Sequence, residues 1–170
     1  MGTGRHFARH LRHHALTMSA PSRRKILAVS SSGGHWSELL RLAPVFEGHD
    51  VTWVTTSPGY RDTAPPGAFE HIRDASMWTK GALVVMVAQL TGIVARVRPD
   101  IVISTGAAPG YFAIRLGNLV GARTIWLDSI ANAEELSLSG QRIKGHADLY
   151  LTQWEHLTRP DGPFYRGSVL

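Results

Sequence analysis

The sequence predicts an α/β fold, because short apolar runs bounded by turn residues alternate with stretches of helical periodicity, and two of those runs end in glycine-rich turns. The first run, Ile26-Leu27-Ala28-Val29, is continuously apolar, as a strand covered on both faces must be. Ser30-Ser31-Ser32-Gly33-Gly34-His35 follows as a turn, then a helical pattern through Leu39, Leu40, Leu42 and Phe46. Val51 to Thr55 reads as a second strand, residues 57–67 as a loop with three prolines, and Ala68 to Ile72 as a short third strand. Residues 80–97 read as a helix and Ile101 to Ser104 as a fourth strand, introduced by Pro99-Asp100. A second glycine turn, Thr105 to Gly110, opens a helix that runs through Leu119. Thr124 to Leu127 and Leu149 to Thr152 complete six strands. Strands alternating with helices imply right-handed crossovers and a mainly parallel sheet flanked by helices, so residues 25–170 form a single Rossmann-like domain.

At 170 residues the chain fits one domain of ordinary size, and 44% hydrophobic against 18% charged residues is enough to bury a core. There is no cysteine, which excludes disulfides, cysteine zinc sites, iron–sulfur clusters and thiol nucleophiles. The net charge of +5 is unevenly placed. Residues 1–25 hold six Lys and Arg and no acid, which leaves twelve basic against thirteen acidic residues, a balance of −1, for the rest. A near-neutral body argues against a nucleic-acid binder, which spreads basic charge over its docking face. Residues 1–24 lack apolar periodicity and read as a disordered basic tail. The tail carries no apolar core of a secretory signal, and Met18 offers a second place for translation to start.

Gly81 through Ala95 carries no charge over 15 residues, with Lys80 before it and Arg96 and Arg98 after. It falls short of the roughly 20 apolar residues a bilayer-crossing helix needs. Two readings stand: a buried crossover helix, or an interfacial element with Trp78 and the basic flanks at headgroup level.

The chemistry concentrates at the two glycine turns. Gly33 and Gly34 let the backbone approach a ligand closely, and the N–H groups of the helix that follows suit a phosphate or pyrophosphate. The pattern is neither Gly-x-Gly-x-x-Gly nor a P-loop, which disfavours a standard dinucleotide or nucleoside-triphosphate site and, with it, a nucleotide-binding oxidoreductase. His35 sits at the helix start, where imidazolium is disfavoured. It is read either as a general base toward a sugar hydroxyl or as a helix cap. Glu38, one turn on, either orients His35 or interacts with the helix dipole. Ligands of open parallel sheets gather where strand order reverses, so Ser32, Gly33, Gly34, Thr105, Gly106 and Tyr111 are candidates to face one ligand. Asp128, after the fifth strand, either holds a ligand hydroxyl or caps the next segment. No metal site is read: His146 and His156 have no partners at ligand spacing, and no Asp-x-Asp pair exists. No cofactor is expected.

Six ordered blocks resemble one family throughout. They are Ser32-Gly33-Gly34-His35-Trp36-Ser37-Glu38-Leu39-Leu40, Ser104-Thr105-Gly106, Asp128-Ser129, Ser137-Leu138-Ser139-Gly140, Ala147 to Trp154, and Gly167-Ser168. The family is the Alg-fourteen/PssD family of split GT-B glycosyltransferases, whose glycine-glycine-histidine loop is shared with acceptor domains of the MurG type. The resemblance implies the N-terminal half of a GT-B enzyme, with a separate chain holding the UDP-sugar. It implies a polyprenyl-pyrophosphate-linked acceptor in exopolysaccharide or other polysaccharide biosynthesis, and hexosyl or N-acetylglucosaminyl transfer that depends on the partner. His35 would then serve as base, assisted by Glu38, while the glycine loop holds the acceptor pyrophosphate. Tyr165, Gly167 and Ser168 would lie where the family contacts its partner. Residues 81–95 match the region that meets lipid. The long apolar N-terminal anchor frequent in the family is replaced here by the basic tail, so attachment to the cytoplasmic face of the membrane is expected to be peripheral. A non-catalytic membrane recruiter of a catalytic partner is the alternative from the binding class.

Overall fold

The computed structural model describes residues 22–169, so the reading of a disordered tail falls, for residues 1–21, outside the described part. The strands are β1 (Lys25–Val29), β2 (Asp50–Thr55), β3 (Ala68–His71), β4 (Ile101–Ser104), β5 (Arg123–Leu127), β6 (Leu149–Thr152) and β7 (Phe164–Tyr165). They form one sheet in the order β3-β2-β1-β4-β5-β6-β7. Every pairing is parallel, with Ile26 beside Val51 on one side and Ile101 on the other. The helices are α1 (Gly34–Arg41), α2 (Lys80–Val97), α3 (Ala107–Leu119) and α4 (Leu138–Ile143).

The alternation of side chains along the central strands builds two cores. Leu27 and Val29 of β1 face the layer of α2 and α3, together with Val54, Met86, Leu90, Val102, Ile114 and Trp126. Ile26 and Ala28 face α1 on the other side, with Trp36, Leu39, Phe46, Val51, Trp53 and Ile103. Burial on both faces is why β1 reads as an unbroken apolar run.

The helical pattern expected through Phe46 is broken after Arg41. Leu42 caps α1, and the chain tightens into a 3-10 turn over Ala43–Phe46, whose first turn contains Pro44. Proline lacks the N–H that a continuing α-helix would use. The 57–67 loop contains a 3-10 turn at Pro58–Thr63. Two elements escaped the sequence reading. β7 is two residues long and is set by its register with β6, and α4 spans six residues. Neither length displays a period.

The charge-free segment lies within α2, which buries Met86, Leu90, Ile93 and Val94 against the sheet. Only 22% of α2 is buried, and its mean hydropathy of 1.5 makes it one helix long and apolar enough to cross a membrane; a soluble protein's core helix can pass the same test. Its outer face leaves Val84 69% and Val85 50% exposed, and Trp78 just before it is 82% exposed.

Candidate functional site

The chain leaves β1 to build β2 and β3 on one side of it, then crosses back to β4 on the other. The reversal opens a crevice at the carboxyl ends of β1 and β4, and both glycine turns lie at it.

Gly33 caps α1 at φ 73°, a left-handed conformation that favours glycine, and no side chain caps the helix. Helix geometry leaves the N–H groups of Gly34, His35 and Trp36 without intrahelical acceptors. Across the crevice, α3 starts in the same way, with Gly106 as cap and no side-chain partner, so the amides of Ala107 and Ala108 are also left over. Two positive helix ends thus meet at one place. The loop amides just before α1 are already engaged. Ser32 N–H donates to Thr56 Oγ1 at 3.1 Å and Gly33 N–H to the Tyr60 hydroxyl at 3.1 Å. The Tyr60 ring stacks on Trp36 with centroids 5.3 Å apart, which holds that hydroxyl over the loop. Thr56 and Tyr60 are not legible as loop supports, because they approach it from the residue after β2 and from the 3-10 turn beyond.

His35 is held by its opposite wall. Its Nδ1–H donates to the Thr105 carbonyl at 3.0 Å, and the Thr105 hydroxyl donates to the His35 carbonyl at 2.7 Å. A carbonyl only accepts, so Nδ1 carries a proton, and the tautomer this selects has its lone pair on Nε2. Gly106, at φ 139°, lies against the imidazole; a Cβ there would stand 2.6 Å from Cε1 and 2.7 Å from Nδ1. The glycine of the second turn is therefore required by the histidine of the first. Thr105 itself is fully buried, so its carbonyl orients the ring while its side chain faces inward.

The other candidates are placed differently. Glu38 is 3% exposed and its Oε1 accepts from Ser129 Oγ and Ile130 N–H, each at 2.9 Å. It ties α1 to the loop after β5, and the orienting of His35 falls to Thr105. Its Oε2 is buried with no partner among the described residues. Asp128 is 1% exposed and accepts from Trp126 Nε1 at 3.2 Å, Asn132 Nδ2 at 3.4 Å, Ser137 N–H at 3.0 Å and Ser137 Oγ at 2.6 Å. This geometry is that of the capping alternative: the carboxylate organises the 129–137 loop. Ser137 in turn caps α4 by accepting from Gly140 N–H at 2.8 Å. Tyr111 is half-buried, edge-on to Phe112 at 5.1 Å, and packs on the α2–α3 core.

Tyr165, in β7, is half-buried, and Gly167 and Ser168 are exposed beyond it. Gly167 and Ser168 line a cavity of about 230 Å³ with Leu42 and Leu151. The next residue, Val169, is clamped from both sides: Arg41 Nη1 donates to its carbonyl at 3.0 Å, and its N–H donates to Gln153 Oε1 at 2.9 Å. Among the described residues, no three His, Cys, Asp or Glu side chains approach closely enough to hold a metal.

No protein-family model matches the chain. It is 27% identical to the UDP-N-acetylglucosamine transferase subunit ALG14 of Eremothecium gossypii, over 80% of this chain and 75% of that protein. The resemblance carried by the six blocks therefore extends over most of the chain. Among solved structures, 86% of the chain superposes on Acinetobacter baumannii MurG with a TM-score of 0.68 at 11% identity, covering 45% of that protein. The UDP-N-acetylglucosamine 2-epimerase of Rickettsia bellii superposes with a TM-score of 0.64 at 12% identity, over 86% and 45% of the two chains. At such identities these likenesses speak for the fold alone. The chain spans just under half the length of these two solved structures.

Proposed function

We propose that this chain is the acceptor-binding, membrane-associating subunit of a two-chain, inverting, UDP-sugar-dependent glycosyltransferase. Its acceptor would be a saccharide linked through pyrophosphate to a polyprenyl lipid, extended during polysaccharide biosynthesis. The observation that carries the reading is His35, locked with its proton on Nδ1 between two helix N-termini.

In this reading Nε2 of His35 accepts the proton of an acceptor hydroxyl. The hydroxyl oxygen forms a bond to the anomeric carbon of a UDP-sugar held by the partner chain. The bond from that carbon to the UDP oxygen breaks on the opposite side, UDP leaves with the electron pair, and the configuration inverts. The left-over amides of Gly34, His35 and Trp36 steady the acceptor pyrophosphate. Tyr165, Gly167 and Ser168 belong to the surface that meets the partner; the likeness to a protein named as a transferase subunit supports a separate catalytic chain.

Attachment at the cytoplasmic face is peripheral in this reading. The inner face of α2 is core, so the helix cannot leave the sheet to span a bilayer without exposing Met86 and Leu90. Its outer face, with Val84, Val85 and Trp78, lies on the lipid instead.

The test is the full chain reconstituted with its UDP-sugar-binding partner on lipid vesicles. His35→Ala lowers kcat by about 10²–10⁴, the range of a lost general base, with complex formation unchanged. Retained turnover in that variant would instead identify a recruiter that supplies no reacting group.

A further inference from the structure

A cavity of about 380 Å³ opens beside the glycine loop, between the segment that precedes α2 and the starts of α3 and α4. Ser32, Asp74, Ser76, Trp78, Ala107 and Ser139 are among the residues that line it. Two of its walls are continuous with the His35 site. Ser32 precedes Gly33, and Ala107 follows Gly106, against whose α-carbon the imidazole lies.

Its chemistry differs from that of the α1 amides. Among the described residues no Lys, Arg or His lines it; the start of α3, with the left-over amides of Ala107 and Ala108, forms one wall, and Asp74 brings a carboxylate. Among the described residues the Asp74 carboxylate makes no ion pair within 4.0 Å. The Asp74 carboxylate, with no cationic side chain beside it, repels a diphosphate but accepts hydrogen bonds from neutral hydroxyls. Serine hydroxyls beside it both donate and accept. At the opposite rim of the sheet, by contrast, a cavity is lined by Arg24, Arg98 and Arg123, with Asp100 among them.

The geometry points to this cavity as the subsite for the neutral sugar ring of the acceptor. Asp74 and Ser139 hold ring hydroxyls, and one hydroxyl is turned toward Nε2 of His35. The assignment rests on the transferase reading above and makes Asp74 a specificity residue for the acceptor saccharide.

The experiment uses the full chain and two probes, methyl β-glucoside and methyl β-N-acetylglucosaminide, observed by saturation-transfer NMR with inorganic pyrophosphate as competitor. The wild type transfers saturation to ring protons of at least one glycoside. Asp74→Asn, a change of an exposed side chain that preserves its shape, loses most of that transfer, and Ser139→Ala reduces it. In the pair reconstituted on vesicles, Asp74→Asn raises the acceptor KM about tenfold with kcat within about twofold, as expected when hydroxyl contacts made in the ground state are removed. The assignment is overturned if the wild type shows no transfer to either glycoside. It is also overturned if Asp74→Asn leaves glycoside binding unchanged, if it leaves KM unchanged where sugar transfer occurs, or if pyrophosphate displaces the glycoside and binds more tightly to Asp74→Asn. Should no partner support sugar transfer while glycoside binding still depends on Asp74, the transferase reading fails and the subsite stands. Normal transfer with an unaltered KM in Asp74→Asn has the reverse meaning.

Discussion

The carboxyl rim of the sheet is built in two ways. Around β1 and β4 the backbone is open: two helix ends without side-chain caps face one crevice, and in the neighbouring cavity Asp74 makes no ion pair among the described residues. Around β5 and β6 most polar groups are consumed by the chain itself, Glu38 Oε2 being left over among the described residues. Asp128 takes four hydrogen bonds, Glu38 takes two, Trp154 Nε1 donates to the Ile130 carbonyl at 2.8 Å, and Gln153 Nε2 donates to the Asp128 carbonyl at 3.1 Å. An acidic residue near the end of a strand thus means architecture on one side of the rim and recognition on the other. Burial and partners decide which, not residue type.

The contrast is most exposed to test at Asp128. Asp128→Ala leaves the Trp126 indole, both Ser137 donors and the Asn132 amide without their acceptor, and should lower unfolding free energy by about 3 kcal/mol. Urea denaturation measures it. A variant of unchanged stability with a raised acceptor KM would place a ligand on this side and abolish the distinction.

Gly106→Ala asks the opposite question. A side chain at φ 139° is strained by about 1–3 kcal/mol, and the added Cβ pushes the imidazole off its seat. Turnover should fall about 10²-fold or more, with a stability loss of about 2 kcal/mol. Full activity in this variant would show that the position of His35 does not matter.

The smallest effect concerns Tyr150, which donates to the Gly140 carbonyl at 2.8 Å beneath the Asp128 loop. Burial, and next the charge of Asp128, push its phenol well above the ordinary value of 10.0. The neutral form is favoured in the fold, so its contribution is complete below about pH 10 and is lost as the pH rises beyond it. Thermal denaturation between pH 8 and pH 11 should show a decline that Tyr150→Phe flattens, at a cost of about 1 kcal/mol near neutrality.

Much of this was legible in the residues. β1 declared itself because both its faces are covered, and the two glycine turns because each follows a strand and opens a helix. The pairing of His35 with Gly106 was legible only as proximity at a strand-order reversal, whereas the reason for the second glycine is a contact across 71 residues of sequence. Glu38 and Asp128 each read as a site candidate or as a structural group, because a carboxylate near the carboxyl rim of the sheet has the same letter whether it meets a ligand or a serine hydroxyl. Asp74 went unread because its loop has no motif.

The sequence by itself determined the alternation of strands and helices, and hence the parallel sheet and the crevice, because those follow from local periodicity and from the handedness of crossovers. Only the tertiary structure decided which polar side chains are engaged and which stay free. The donors that engage Asp128 and Oε1 of Glu38, and the carbonyl that orients the His35 ring, arrive from distant strands and loops whose distances no local pattern encodes.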